Sequence, residues 1–416
     1  MTEINDFNIN SFLKFGFYLD SSPPKKDLFE VEIDKVKFEN YSINDLVDYG
    51  YEVFITSLKR IFDRENLSTQ KHLVPISGGI DSRLILAGLI EVIGHEKIST
   101  YTYGTPGTWN YEIGSKISNL AGTMHKSFEI SSSDYTLESL TDAAARLEYS
   151  VPSFFHPNFS SIERYFENYT VWSGFLGCLW KGKSLPYNLS QSKEEAVKHF
   201  INFNKVISCN ISKFPDEYFY DFLSSSIDTD SQLSFDDQLS FYQRQMKYTF
   251  KYISFRGQKK VICPLMEKDN LAFWLSINHS KYRMNSVLLS KIMKKYFPEF
   301  YSLPDTENFG ASASSNILYK SYKKYSSKFK NRMHRIIPSI TPNFTNYTNF
   351  NLHFIRLPEF RNTIKSLLVS LKKRKIIRWI DIDTLYEDFT KGRKKNINEL
   401  ILLCSLELHL RGNSHG

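Results

Sequence analysis

The densest chemistry in this 416-residue chain lies in HLVPISGGIDSRLILAGLIE, His72 to Glu91. A short apolar run enters Ser77-Gly78-Gly79-Ile80-Asp81-Ser82, and a helical-period apolar run leaves it. Two adjacent glycines let backbone amides approach an anion closely, because no Cβ stands in the way. A helix that begins there turns its positive end toward the same anion. Ser77 and Ser82 add hydroxyl donors. Asp81 is the informative residue, since a carboxylate repels phosphate unless a cation lies between them, and this points to Mg²⁺. The spacing matches neither G-x-x-x-x-G-K-[ST] nor G-x-G-x-x-G.

Alternating elements must position this loop. Ser42 to Phe62 has helical periodicity, with Ser42 as N-cap. HLVPIS then reads as a strand and Ser82–Ile93 as a helix. KISTYTYG reads as a strand, Trp109–Ala121 as a helix, MHKSFEI as a strand, Tyr135–Leu147 as a helix and YTVWSG as a strand. Strands alternating with helices of this length predict βαβ units and a parallel sheet. After about Ser190 the texture turns helical. In such a sheet, ligands bind beyond the carboxyl ends of the strands.

Composition bounds the rest. No run reaches the ~18 apolar residues of a membrane-spanning helix, and MTEINDFNIN lacks the basic and apolar parts of a secretory signal. Cys178, Cys209, Cys263 and Cys404 are scattered. That argues against a zinc site or a disulfide framework and predicts a cytoplasmic protein. The net charge of +8 is concentrated in Tyr319–Arg335 and Leu371–Arg378. Such runs could meet RNA or an acidic membrane, or form a solvated helix face around an anionic site.

S-G-G-x-D-S resembles the PP-loop of ATP pyrophosphatases, which cleave ATP between the α and β phosphates. The wider resemblance is to the synthetase domain of asparagine synthetases and their amide-forming relatives, such as β-lactam synthetases and lasso-peptide cyclases. It covers most of the chain in order. Residues 12–36, opening on FLKFGFYL and closing on LFEVEIDKV, are similar to the segment joining the glutaminase and synthetase domains. PISGGIDSRLILA is similar to the PP-loop, and STYTYG with AGTMH to the next strand and the step ending in His125. VWSGFLGCLWKG resembles the second nucleotide signature, VICPLMEKDNLAFWLSI a proline-led helix start and NELILLCSLELHL the closing helix.

The resemblance implies a PP-loop ATP pyrophosphatase fold (adenine nucleotide α-hydrolase-like), α/β with a parallel five-stranded sheet and a helical C-terminal region. It divides the chain into a remnant N-terminal segment (1–45), a nucleotide-binding core (46–188) and a helical part (189–416). It implies ATP and Mg²⁺ as cofactors. Ile76, Tyr103, Ser173 and Gly174 would contact adenosine. Ser77, Gly78, Gly79, Asp81 and Ser82 would hold pyrophosphate and metal, with Asp81 as metal ligand. The implied activity is AMP-forming amide ligation, in which an unidentified carboxylate is adenylated and passed to an amine or ammonia. A nucleotide-binding homologue with weakened chemistry is the alternative. A tRNA-modifying PP-loop enzyme is less well matched, because the loop is not close to the N-terminus and no paired cysteines occur.

Three departures stand out. No cysteine follows Met1, and the upstream segment is short, so no glutaminase activity of its own is expected. Cys178 stands where the family has a Mg²⁺-binding aspartate, and a neutral thiol is a poor ligand for it. The family's catalytic lysine has no match around SLPDTENFGASAS, leaving Lys181, Lys183, Lys259 and Lys260 as candidates by sequence proximity. The segment carrying Glu148 and His156 corresponds to one that faces the acyl substrate. Either could orient substrate or move a proton, and His156 equally reads as a structural histidine. Glu112 and Arg146 read as ordinary helix residues, and Cys178 as a small buried one.

Overall fold

The computed structural model describes residues 5–19, 31–156, 159–206, 211–253, 260–334, 348–393 and 397–413. Cys209, Lys259, Arg335 and residues 20–30 lie outside these.

Helix α1 spans Asp6–Phe15 and α2 spans Ile43–Arg64. Ser42 caps α2 in a reciprocal box with Asp45, which satisfies two otherwise orphaned amides. The alternating units follow: β1 (Lys71–Pro75), α3 (Ile80–Ile93), β2 (Ile98–Gly104), α4 (Trp109–Ala121), β3 (Met124–Glu129), α5 (Leu137–Arg146) and β4 (Tyr169–Trp172). Helix α4 stops at Gly122, whose left-handed φ of 65° few other residues adopt at low cost. Helix α3 begins two residues earlier than its apolar period suggests. Helix α5 begins later than expected, because Ser132–Tyr135 forms a separate turn before it.

The sheet has five parallel strands in the order β3-β2-β1-β4-β5. The fifth, β5 (Val261–Ile262), comes from the otherwise helical C-terminal part and pairs Val171 with Val261. The expected division at 188 therefore marks a change of texture, while the sheet runs across it. Strand order reverses between β2-β1 and β1-β4. The loops after β1 and β4 thus emerge side by side at the carboxyl edge, where such sheets bind ligands.

Two main cores flank the sheet. One joins α2, α3 and α4 to later helices through Phe54, Leu84, Trp172, Trp274 and Ile292. A Cβ on Gly88 would fall 2.5 Å from Phe54, so glycine sets the close approach of α3 to α2. The second core joins α1 and α5 to helices Pro358–Arg374 and Asn398–Asn413. Phe12, Leu13 and Tyr18 are buried in it, and the Tyr18 hydroxyl meets His409 Nδ1 at 3.0 Å. The helix of the N-terminal segment is thus a core element.

Candidate active site

The Ser77–Ser82 loop joins β1 to α3. Gly79 sits at the N-cap of α3 with no side-chain cap, which leaves the helix's first amides facing outward as anion donors. The loop is held from several sides. The Gly78 amide donates to Asn110 Oδ1 at 3.0 Å, and the Gly79 amide donates to Ser77 Oγ at 3.3 Å. The Thr306 amide donates to the Gly78 carbonyl at 3.1 Å. A Cβ on Gly78 would strike Thr306 Cγ2 at 2.4 Å, so only glycine fits. The buried Arg83 guanidinium reaches the carbonyls of Gly78 (3.1 Å), Phe300 (3.1 Å), Leu303 (3.2 Å) and Pro304. Burial draws its pKa down to about 10.

The loop opens into a cavity of about 290 Å³. Ile76, Ser77, Asp81, Ser82, Tyr103, Ser173 and Gly174 all line it. Of the nucleotide-binding set expected from sequence, only Gly78 and Gly79 are not part of its wall. His156, Phe159 and Tyr252 complete an aromatic side. The His156 ring stacks on Tyr252 at 4.7 Å between centroids and lies 4.2 Å from Phe159. Burial lowers the His156 pKa to about 3, so the ring is neutral, and its Nδ1 is buried without a hydrogen-bond partner. Such a wall suits a flat heterocycle, with a polar edge at one point.

Below Asp81 the charges are organised. Lys181, 5% exposed, places Nζ 2.9 Å from Asp81 Oδ2 and 3.1 Å from Glu307 Oε1. Lys183 meets the same Glu307 oxygen at 3.2 Å. Burial alone would favour neutral forms of Lys181 and Glu307. The opposite charges outweigh it, raising the lysine's pKa and lowering the carboxylate's. The turn after β4 presses on this group. A Cβ on Gly177 would fall 2.2 Å from Asp81 Cγ and 2.5 Å from Asp81 Oδ1.

These residues do not fit a magnesium ion held by the protein. One Asp81 oxygen is paired with Lys181; the other is buried against the Gly177 turn. Cys178 offers a half-buried thiol in place of a second carboxylate. Among the described residues, no group of three His, Cys, Asp or Glu side chains gathers to hold a metal. An ammonium stands where a cation was expected.

Other candidates fall elsewhere. Glu148 lies outside the cavity wall and pairs with Lys251. Lys260 pairs with Glu65. Arg146 grips Glu163 with two 2.7 Å bonds, and Glu112 accepts from the Gly107 amide at 2.9 Å. Both are structural. Asn110, Thr306 and Glu307 were not singled out by sequence reasoning, although the last two belong to the very segment searched for a lysine. The larger cleft of about 1030 Å³ between Ile33–Glu39 and Leu275–Arg283 contains none of the loop residues, and its charged pair, Asp237 with Arg283 at 2.7 Å, is already satisfied.

Compared with known proteins, the sequence matches no family model and no curated protein.

Proposed function

We propose that this protein binds ATP at the Ser77–Ser82 loop and acts as an asparagine-synthetase-like, AMP-forming amide ligase. One observation carries the reading: seven of the nine residues that the resemblance assigns to adenosine and to the phosphates line one cavity at the strand-order reversal. Adenine would lie between Ile76, Tyr103 and the His156–Tyr252 pair, with ribose toward Ser173-Gly174. The phosphates would run onto Ser77, Ser82 and the open start of α3. A substrate carboxylate oxygen attacks the α-phosphorus, and the bond to the oxygen bridging α and β phosphorus breaks. Pyrophosphate leaves with that electron pair. An amine then attacks the acyl carbon, AMP departs, and the amine's surplus proton goes to solvent. Lys181, with two of its three N–H donors occupied, has one left for a departing phosphate oxygen. Magnesium belongs in this reading as a counter-ion of the nucleotide's own phosphates.

A second reading, nucleotide binding without turnover, is favoured by one feature. The Gly78 amide and the Asp81 carboxylate are already engaged, by Asn110 and Lys181. Exchange of labelled pyrophosphate into ATP, run against amino acids, sugar acids and short peptides, separates the two. Carboxylate-dependent exchange is expected. ATP binding without exchange favours the second reading, and absence of ATP binding rejects both.

A further inference from the structure

Helix Ile317–His334 turns its apolar side away from the protein. Leu318, Tyr322, Tyr325 and Phe329 follow one another at intervals of three and four, so they form one line along the helix. Their exposures are 82, 64, 68 and 64%. The buried Ser327 and the half-buried Lys320 and Lys323 mark the side that rests on the fold, and Lys320 donates to the Ala313 carbonyl at 2.6 Å. At 3.6 residues per turn, the apolar line lies on the opposite side. Lys328 flanks the line on one side and Lys330 on the other, each about a quarter to a third of a turn away, and both are exposed; Lys324 lies farther round, with its Nζ 5.9 Å over the Phe309 ring. No Asp or Glu occurs anywhere in this helix. A surface helix ordinarily points its apolar stripe at the core, and here that arrangement is reversed.

We propose that this helix seats the protein on an anionic lipid surface. The apolar line enters the headgroup–acyl boundary, the tyrosine hydroxyls stay at headgroup depth, and the bordering lysines extend to lipid phosphates. Charge complementarity selects this occupant. A second copy of the helix would bring lysine rows against lysine rows. An RNA would gain nothing from Leu318, which has no face for a base to stack on. The other basic run differs: Lys372 pairs with Asp383, and Arg374 with Glu407 at 2.8 Å, so part of its charge is already answered. The proposal stands independently of the ligase reading.

The test is co-sedimentation of the full chain with vesicles of phosphatidylcholine, alone or mixed with phosphatidylglycerol. Binding is expected on the mixed vesicles, weaker by about tenfold or more on the neutral ones, and reduced on raising salt from about 50 to 500 mM. Tyr322→Ser with Phe329→Ser should lower binding at least about tenfold with the charge unchanged, and Lys328→Glu with Lys330→Glu should do the same. Circular dichroism checks that each pair of exposed substitutions leaves the fold intact. No binding to mixed vesicles, or binding untouched by the Tyr322/Phe329 pair, overturns the proposal. So does binding of a single-stranded RNA in place of vesicles, or a dimer in sedimentation velocity that those substitutions dissolve.

Discussion

At the scale of single residues, Lys181 governs the site. It bridges two carboxylates while almost wholly buried, so removing it leaves two anions facing each other. Lys181→Met should cost about 3–5 kcal/mol in denaturant unfolding. Adding Asp81→Asn to that variant should return part of the loss, because one orphaned charge is gone. Equal stability of the single and double variants would show that the two groups are uncoupled. The same contact predicts that ATP binding survives chelation of divalent ions with at most a modest loss. A collapse of affinity in chelator that Asp81→Asn reproduces in the presence of Mg²⁺ would restore a metal to Asp81. Arg83 is the second lever. Replacing it by Met strips charge-assisted bonds from a ring of carbonyls and should lower stability by about 3 kcal/mol, read from the same unfolding curves. The loop's glycines, hydroxyls and carboxylate were legible in sequence because their spacing is local. Lys181's role was not, since it depends on a pairing between residues far apart in the chain.

At the scale of elements, the turn after β4 and the loop after β1 act as one unit. Gly177→Ala introduces a methyl 2.2 Å from Asp81 Cγ, so the two segments must separate. ATP affinity measured by calorimetry should fall by about tenfold or more while the far-ultraviolet spectrum is kept, because a displacement near 1 Å is costly at a binding site. Unchanged affinity would mean that the phosphates do not rest on this loop. The alternation of strands and helices was readable directly, and α4 was placed residue for residue, since its apolar period ends at a glycine. Strand β5 escaped notice for a physical reason. Two residues carry no periodicity, and they become a strand only because β4 presents an open edge. The reversed polarity of helix Ile317–His334 was equally hidden, because a sequence gives the stripe but not the side on which the fold lies.

At the scale of the whole molecule, buried histidines set the acid limit. Burial lowers His72 and His353 to about 4, and His156 and His409 to about 3. In the unfolded chain each titrates near pH 6.5. Their neutral forms therefore support the fold fully above about pH 6.5, and that support drains as pH falls toward the folded values, by up to about 1.4 kcal/mol per group per pH unit. The urea midpoint should drop clearly between about pH 7 and pH 5, and His156→Phe should make the drop shallower. A midpoint indifferent to pH would mean that these rings titrate alike in the folded and unfolded chain. The second core has a different consequence, one of timing. Tyr18 closes on His409, and α1 packs into the same core as the last helix. During synthesis Asp6–Phe15 emerges well before Asn398–Asn413 and must wait for it before this contact can form. Until then the apolar face of α1 is uncovered, and a core that joins segments so distant in sequence is slow to close.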